Sequence, residues 1–351
     1  MRILVVRLSA LGDLVHTLPV VAALRRALPD SRVDWLVDER FRELVNLVPA
    51  VERSIGWPRV NPDGIVGFER IIAELREQQY DVALDLQGLL KSAAAAWVSG
   101  ARRVVGFEPA QLRETAARWL HTEHATVDDS GHVVEKNLGL ARHLGADLED
   151  WEFPLRIPQS PVVAETRRRL EVAGDGQVVL LNPGTAWESK CWGPSRYGEL
   201  ASRLRMECGL RSVVSWGPSE KARAEAVVTA SNGGAVMAPP TGLPDLVALL
   251  NDAALVVAGD TGPLHLAAAV GTPVVGIYGP SDPVRNGPWA PTDRVVSARG
   301  NCRCCEETWR SRTPGVVVRR CRQRRTCLDD VSVADVFTNV VWRLGISDGH
   351  G

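Results

Sequence analysis

The stretch "VVRLSALGDLVHTLP", residues 5–19, contains the end of an apolar β-run, a short loop of small residues and the start of a helix. In many nucleotide-binding α/β folds the loop at this position is rich in glycine, and its N–H groups and the helix dipole hold a phosphate. Here the loop has one glycine, Gly12, and the carboxylate of Asp13 follows it directly. Because a negative charge is a poor neighbour for a pyrophosphate, this loop predicts a site for another kind of group.

Strand-forming runs alternate with amphipathic helical patterns along the chain, which predicts parallel strands joined by crossover helices. The predicted strands of the N-terminal half are Arg2–Leu8, Val33–Val37, Asp81–Leu86 and Arg103–Phe107, with helices such as Leu14–Leu28 and Phe68–Gln78. Those of the C-terminal half are Val178–Leu181, Arg211–Ser215, Ala254–Ala258 and Pro273–Tyr278. The expected fold class is α/β, with two Rossmann-like domains facing each other across a cleft.

The length of 351 residues exceeds what one ordinary hydrophobic core supports, so two domains are expected. Around residues 150–161 the alternation lapses and prolines accumulate, which is typical of a linker. We therefore place one domain at residues 1–155, a second at 156–330 and a last helical segment at 331–351. Ligands of such sheets bind beyond the carboxyl ends of the strands, so the loops that follow the strands are the candidate sites.

The composition limits the class of protein. With 45% hydrophobic and 24% charged residues and a net charge of −1, the chain is globular and gives no indication of a nucleic-acid partner. Arg7 and Asp13 interrupt the first apolar run before the core of a signal peptide can form. No apolar stretch approaches the roughly 18 residues of a membrane span, so we expect a cytoplasmic protein.

The segment "AGDTGPLHLAAAVGTPVVGIYGPSDP", residues 258–283, contains a candidate anion site. A strand ends, a turn follows, and Pro263 fits the first turn of the next helix. The N–H groups of Thr261 and Gly262 would then be free at the start of this helix, where an anion binds well. The alternative is an ordinary capped helix, with Asp260 or Thr261 as the N-cap and His265 in the core.

A second loop, "NPGTAWESKCWGPSRYGEL" at residues 182–200, also joins a strand to a helix and carries Thr185 and Lys190. Lysine is a compact point charge suited to phosphate, although most loop lysines are only solvated. Two such loops in one half favour a site for a diphosphate. In "SWGPSEK", residues 215–221, Glu220 is placed to accept ribose hydroxyls, or else is an acid stabilised by the first turn of a helix.

Five segments in chain order resemble the ADP-heptose:lipopolysaccharide heptosyltransferases of glycosyltransferase family 9, and the first three resemble the heptosyltransferase I type. They are "RLSALGDLVHTLP", "DWLVDERF", "YDVALDLQGLLKSA", "NPGTAWESKCW" and "GDTGPLHLAAAVGTPVVGIYGPSDP". The resemblance implies a GT-B fold in which residues 1–155 bind the acceptor and residues 156–330 bind the nucleotide sugar. It also implies that the helix within 331–351 crosses back to the N-terminal domain.

The activity that the resemblance implies is an inverting transfer of heptose from ADP-heptose to the Kdo/heptose inner core of lipopolysaccharide, on a lipid A–Kdo acceptor, with no metal and no cofactor. The residues expected at the donor are Thr185, Lys190, Glu220, Asp260, Thr261, Gly262 and His265, although the spacing before Glu220 is slightly shorter than in the family. The residues expected at the acceptor are Ser9, Gly12, Gln87 and Lys91.

Asp13 is the expected catalytic base. An acceptor hydroxyl that attacks an anomeric carbon must lose its proton as the bond forms, and a nearby carboxylate can take it. The family has its catalytic aspartate at this "GD" position. The alternative is that Asp13 only caps the helix, a role that aspartate favours.

Residues 299–327 depart from the first heptosyltransferase pattern. They contain five of the seven cysteines, and nine arginines against two acidic residues. The cysteines are Cys302, Cys304, Cys305, Cys321 and Cys327, whose spacing is not a standard zinc pattern, so packing or a disulfide is favoured over a metal. The arginines suit lipopolysaccharide phosphates or peripheral contact with the inner face of the inner membrane, or else form a solvated loop.

Two other functions are compatible with the anion loops. One is a non-catalytic module that binds a nucleotide sugar, and the other is a sugar-nucleotide epimerase of the GT-B type. Only a transferase requires a base on the acceptor domain, so Asp13 is the residue that discriminates between them.

Overall fold

The computed structural model describes residues 1–58, 65–146, 151–172, 174, 176–298 and 326–346. The chain forms two compact units, Met1–Arg156 and Ile157–Gly351. The division falls within the proline-bearing stretch at 150–161.

In its described residues, the first unit contains a six-stranded sheet in which all neighbouring strands are parallel. The strands are β1 (Arg2–Val6), β2 (Arg32–Asp38), β3 (Arg53–Trp57), β4 (Val82–Asp85), β5 (Arg103–Phe107) and β6 (Glu123–Ala125). The helices are α1 (Leu11–Val15), α2 (Leu18–Ala27), α3 (Arg42–Val45), α4 (Ile65–Glu77), α5 (Leu90–Val98) and α6 (Val133–His143). The strand order is β3-β2-β1-β4-β5-β6.

The second unit repeats this arrangement in the part that the structure covers. Its strands are β7 (Val178–Asn182), β8 (Arg211–Val214), β9 (Ala235–Met237), β10 (Leu255–Gly259), β11 (Val274–Tyr278) and β12 (Arg294–Ser297). Its helices are α7 (Pro161–Leu170), α8 (Pro194–Cys208), α9 (Lys221–Ala230), α10 (Leu243–Asp252), α11 (Gly262–Ala269), α12 (Pro283–Asn286) and α13 (Val333–Leu344). The strands are again parallel, in the order β12-β11-β10-β7-β8-β9.

The strand orders locate the candidate sites. In each sheet the chain first winds in one direction and then returns to the other side of its first strand, so β1 lies beside β4 and β7 lies beside β10. Helices that start from such a pair run to opposite faces, which leaves a crevice at the carboxyl ends of the two strands. The central strands are apolar because helices cover both faces, and Ile3–Val6 and Val179–Leu181 are fully buried. The α/β class is confirmed.

The C-terminal helix packs on the second unit. α13 packs on α8, β11 and β12, and it adds Val336 and Val340 to the core of the second unit. Arg343 Nε donates to Asp293 Oδ1 at 3.1 Å, which fixes the end of the helix to the same unit. The helix therefore packs within the second unit, and its return to the N-terminal domain stays a prediction.

One predicted helix and the outermost strands also differ from the sequence-based prediction. The predicted helix Leu14–Leu28 is two helices, α1 and α2, because Pro19 lies in the first turn of α2 and has no N–H to continue α1. The strands that the sequence patterns do not identify are β3, β6, β9 and β12, which are the edge strands of the two sheets. In the described stretches, no helix is both long enough and apolar enough to cross a bilayer.

Candidate functional site

The crevice of the first unit lies between the loops that follow β1 and β4. Ser9, Gly12 and Asp13 belong to the first of these loops and to α1, whereas Gln87 and Lys91 belong to the second loop and to α5. The backbone N–H of Leu8 donates to Gln87 Oε1 at 2.8 Å, which ties the two loops together. The structure thus brings together the predicted catalytic residue and the predicted acceptor residues.

Asp13 is held by two arginines. Its Oδ1 lies 2.7 Å from Arg7 Nη2 and 3.5 Å from Arg113 Nη2, and its Oδ2 accepts from the N–H of Ala10 at 3.3 Å. Asp13 is in the first turn of α1, but Ala10 is the N-cap. The carboxylate is 21% exposed, so it can still be reached from the crevice.

The charges around Asp13 determine its protonation state. Burial alone would raise the pKa of the carboxyl, but Arg7 and then Arg113 outweigh burial and lower the pKa to about 2. Arg7 is itself 3% exposed, and its Nη1 donates to the carbonyl of Leu86. Burial lowers the pKa of Arg7, against the opposing effect of Asp13. At neutral pH the site therefore contains an ionised carboxylate.

A buried polar cluster supports the second loop of this crevice. Asp85 Oδ1 accepts from the N–H groups of Gln87 and Gly88 at 3.0 and 3.2 Å. Asp85 Oδ2 lies 3.0 Å from Nε2 of His121, and both side chains are fully buried. Because Gln87 in turn accepts from Leu8, this cluster positions the β4 loop against the loop that contains Asp13.

The crevice of the second unit contains a chain of three charged or polar groups. Lys190 Nζ, from the loop after β7, lies 2.5 Å from Oδ2 of Asp260, which follows β10. The other oxygen of Asp260 lies 3.1 Å from Nε2 of His265 on α11. The Lys190 ammonium also lies 4.9 Å from the centre of the Trp187 ring. The neighbouring strands β7 and β10 therefore bring together side chains that are far apart in the sequence.

Asp260 is a buried carboxylate whose charge is compensated. Burial alone would raise its pKa, but the hydrogen bond from His265 and the charge of Lys190 bring the pKa well below its ordinary value. Asp260 is thus anionic, and it fixes the positions of Lys190 and His265. Of the two residues that the capped-helix alternative gives as the N-cap, Thr261 occupies that position and Asp260 does not, and His265 is buried.

No side-chain hydrogen bond from the N-cap residue caps the start of α11. Thr261 makes no side-chain cap bond, and its Oγ1 donates instead to the carbonyl of Gly259 at 3.2 Å. Gly262 is the first residue of the helix. The side chain of Thr261 therefore does not occupy the N–H groups of the first turn, where the sequence predicts an anion site.

Glu220 and Thr185 complete the second crevice. Glu220 does not cap α9 with its side chain, and its Oε2 accepts from the N–H of Gly217 at 2.9 Å. A Cβ at Gly184 would lie 2.3 Å from that oxygen, so the β7 loop passes directly beside the carboxylate. Thr185 Oγ1 donates to the carbonyl of Trp187 at 3.0 Å and shapes the loop that carries Lys190.

The cysteine- and arginine-rich segment is almost entirely outside the described residues. The predictions made for Cys302, Cys304, Cys305, Cys321 and the arginines at 299–325 therefore stay predictions. Cys327 is described: it is buried beside Leu328, and a Cβ at Gly279 would lie 3.0 Å from its sulfur. In this position Cys327 contributes to the core of the second unit.

Sequence reasoning missed the residues that control Asp13. The signal for Arg7 is present, since it is an arginine at the end of a buried strand and close to Asp13 in the sequence. No local pattern identifies Arg113 or His121, because only the fold brings them to this crevice.

Comparison with known proteins identifies similar sequences. The family model described as glycosyltransferase family 9 (heptosyltransferase) matches residues 68–313. Lipopolysaccharide heptosyltransferase 1 of Pseudomonas aeruginosa is 32% identical over 315 residues, which cover 87% of this chain and 86% of that protein.

Solved structures show the same fold. The structure described as E. coli heptosyltransferase WaaC with ADP has a TM-score of 0.78 at 24% identity and covers 98% of this chain and 100% of its own. The structure of E. coli WaaC with ADP-2-deoxy-2-fluoro heptose has a TM-score of 0.71 at 27% identity, with 86% of this chain and 94% of its own covered.

Proposed function

The chain belongs to glycosyltransferase family 9, the heptosyltransferases, and we propose that it transfers heptose from ADP-heptose to the Kdo/heptose inner core of lipopolysaccharide. It is a glycosyltransferase with a GT-B fold. The observation that carries the proposed chemistry is the ionised, partly exposed carboxylate of Asp13 between Arg7 and Arg113. The proposal assigns the acceptor to the first unit and the donor to the second.

The donor is proposed to bind at the crevice between β7 and β10. Its diphosphate would be met by the N–H groups at the start of α11 and by the ammonium of Lys190, with no metal in the reaction. Asp260 and His265 hold Lys190 in place, and Glu220 and Thr185 line the neighbouring loops. The solved relatives that contain ADP and a fluorinated ADP-heptose support a donor of this class.

The transfer is a single displacement that inverts the anomeric carbon. The acceptor hydroxyl forms a bond to that carbon, the bond between the carbon and the diphosphate oxygen breaks, and ADP leaves. The hydroxyl proton goes to Asp13. Because a carboxylate of such low pKa is a weak base, the proton moves as the new C–O bond forms and the hydroxyl oxygen becomes acidic. Lys190 and the N–H groups of α11 stabilise the charge that develops on ADP.

The acceptor side is proposed to use Ser9, Gly12 and Lys91 around Asp13. Gln87 is assigned a positioning role as well, because it accepts from Leu8. Since the proposed acceptor is attached to a lipid, the enzyme would act at the inner face of the inner membrane and contact it peripherally.

The test is to incubate the protein with ADP-heptose and a panel of truncated lipid A–Kdo acceptors, and to follow ADP release and product mass. We expect ADP release that depends on an acceptor, together with a product heavier by one heptose. A non-catalytic module would release no ADP, and an epimerase would change the nucleotide sugar without an acceptor. Either result would refute the proposal.

A further inference from the structure

One surface of the first unit exposes large apolar side chains. Among the described residues of Met1–Arg156, the exposed large hydrophobic residues are Met1, Leu90, Trp97 and Trp119, and the last three lie within thirty residues of each other. The exposed fractions are 46% for Leu90, 56% for Trp97 and 77% for Trp119. Because the two elements that carry Leu90, Trp97 and Trp119 pack on each other, these exposed apolar side chains are typical of a contact surface.

Helix α5 provides the first part of this surface. Leu90, Ala94 and Trp97 are spaced at i, i+4 and i+7, so they lie on one side of the helix. The opposite side is buried and consists of Ser92, Ala93, Ala95 and Ala96. A surface helix ordinarily presents polar residues to water, whereas the only charged residue of α5 is Lys91, which is exposed.

The turn Thr115–Leu120 provides the second part, since it packs against α5. The guanidinium of Arg118 lies 4.5 Å from the centre of the Trp119 ring, so a positive charge accompanies the exposed indole. The two elements are fixed to each other because Glu114 Oε2 accepts from the N–H of Leu90 at 2.6 Å. Glu114 also donates its own N–H to the carbonyl of Gly88 at 3.1 Å.

We propose that Leu90, Ala94, Trp97 and Trp119, which we call the tryptophan surface, bind an anionic lipid bilayer. Indole rings favour the boundary between headgroups and acyl chains, because one edge is polar and the body is apolar. Lys91 and Arg118 supply the positive charge that anionic headgroups attract. Glu114, which adjoins this surface, accepts from the backbone N–H of Leu90.

The location of the tryptophan surface supports a bilayer as its binding partner. α5 begins directly after the loop of Gln87, and Arg113, next to Glu114, contacts Asp13 at 3.5 Å. The tryptophan surface therefore adjoins the crevice to which the lipid-linked acceptor is assigned. This inference rests on the proposed function for its choice of occupant. Binding at this surface would hold the crevice next to the headgroups, where the acceptor sugar emerges.

The experiment measures binding of the full chain to vesicles with no donor and no acceptor present, so that its result does not depend on catalysis. The vesicles contain phosphatidylethanolamine and phosphatidylglycerol, and a second set contains phosphatidylcholine alone. The variants are Trp97→Ser, Trp119→Ser and the double variant. The matched controls are Met206→Ser, which removes an 81% exposed side chain of the second unit, and Trp342→Ser, which removes a 53% exposed tryptophan.

We expect each single variant to lower the vesicle partition coefficient roughly fivefold to tenfold, and the double variant by roughly their product. The controls should bind as the unmodified chain does, and vesicles without phosphatidylglycerol should bind all variants weakly. Circular dichroism and thermal unfolding check that the variants are folded, as expected for exposed sites.

Turnover provides the second measurement. The double variant should turn over a water-soluble acceptor without acyl chains at the normal rate, and should show a raised KM for the acceptor embedded in vesicles. Equal loss of binding in Met206→Ser, no binding of the unmodified chain to anionic vesicles, or a change of oligomeric state without a change in vesicle binding would each overturn the inference. Failure of all turnover with intact vesicle binding would instead refute the proposed function.

Discussion

Asp13 and Asp260 occupy comparable places in the two units, and the difference between them is instructive. Each follows a strand at the crevice of a parallel sheet, and each is paired with a cation, Arg7 or Lys190. The carboxylate of Asp13 is 21% exposed, whereas that of Asp260 is 8% exposed and contacts His265 as well. The same pairing therefore serves two purposes. In the first unit the cation keeps an accessible acid ionised, and in the second the buried acid holds the cation in place.

The largest effect is expected for Asp13→Asn. The amide retains the shape and can still accept from the N–H of Ala10, but it cannot take the proton. We expect kcat to fall roughly 10²–10⁴-fold, while the affinity for ADP-heptose stays within a few-fold. Steady-state kinetics and calorimetric titration of the donor measure the two quantities. Asp30→Asn, at an exposed aspartate of the same unit, is the matched control. If Asp13→Asn turns over within a few-fold of the unmodified enzyme, Asp13 has only a structural role.

The next largest effect is expected for Lys190→Ala. The variant removes the cation and leaves Asp260 anionic, so the crevice repels a diphosphate. We expect the affinity for ADP-heptose to fall roughly tenfold to a hundredfold, with acceptor binding unchanged. Lys221→Ala, an exposed lysine of the same unit that pairs with Glu225, should change neither. A loss of acceptor affinity as large as that of the donor would contradict the assignment of the two crevices.

Replacing either arginine beside Asp13 is expected to change the pH dependence of activity, and the two replacements should differ in size. A base works when it is deprotonated, and the pKa of about 2 keeps Asp13 ionised across the usual assay range. Arg7→Gln should raise that pKa by roughly one to three pH units, so that kcat/KM falls on the acid side at a higher pH. Arg113→Gln should shift the same limb in the same direction but less, because Arg113 is farther from the carboxylate. Profiles of kcat/KM against pH measure both.

Arg113→Gln keeps this prediction testable if Arg7→Gln does not fold, because Arg113 is half exposed.

The lowered pKa of Asp13 also predicts how the stability of the fold depends on pH. A carboxyl whose pKa is lowered on folding contributes stability above the unfolded pKa of 3.8, and that stability is lost as the pH falls towards 2. Urea unfolding at pH 6 should therefore show a loss of stability in the variant that becomes smaller under acid conditions. An unchanged acid limb in both variants would show that Asp13 is not the titrating base.

A smaller effect is expected for Gly184→Ala. The added Cβ would lie 2.3 Å from Glu220 Oε2, so the carboxylate must move. If Glu220 holds the ribose, the KM for ADP-heptose should rise roughly tenfold or less with kcat retained. Gly131→Ala, where a Cβ meets no atom within 4 Å, is the control. A normal KM would show that the donor does not depend on Glu220.

The smallest effect is expected for metal removal. Lys190 and the N–H groups of α11 are protein groups that can compensate a diphosphate on their own. We therefore expect EDTA to leave the rate of ADP release unchanged. A loss of activity that Mg²⁺ restores would show that the second crevice works differently from the arrangement described above.

The central strands of both sheets could be predicted from the sequence because they are buried on both faces and form continuous apolar runs. The strands that the sequence patterns do not identify are all at sheet edges. β12, for example, alternates between partly buried and exposed residues, and β6 is three residues long. An edge strand has one neighbour only, so its apolar signal is weak.

In the candidate site, too, some features could be predicted from the sequence and others depend on the fold. Asp13, Lys190 and Asp260 could be predicted because each follows a strand in a segment that resembles the family. The pairing of Lys190 with Asp260, and that of Arg113 with Asp13, depends on which strands are neighbours, and no local pattern contains that information. The sequence could therefore supply the candidate residues but not the pairing of charges around them.

The shared strand order has a practical consequence for labelling the protein. The loops at the amino ends of the strands lie on the opposite edge of each sheet from the crevices. Turns such as Gly100–Arg102, before β5, and Cys208–Leu210, before β8, are of this kind. A peptide tag or a reporter inserted in these turns would leave both crevices intact, provided that the left-handed glycines Gly100 and Gly209 are kept.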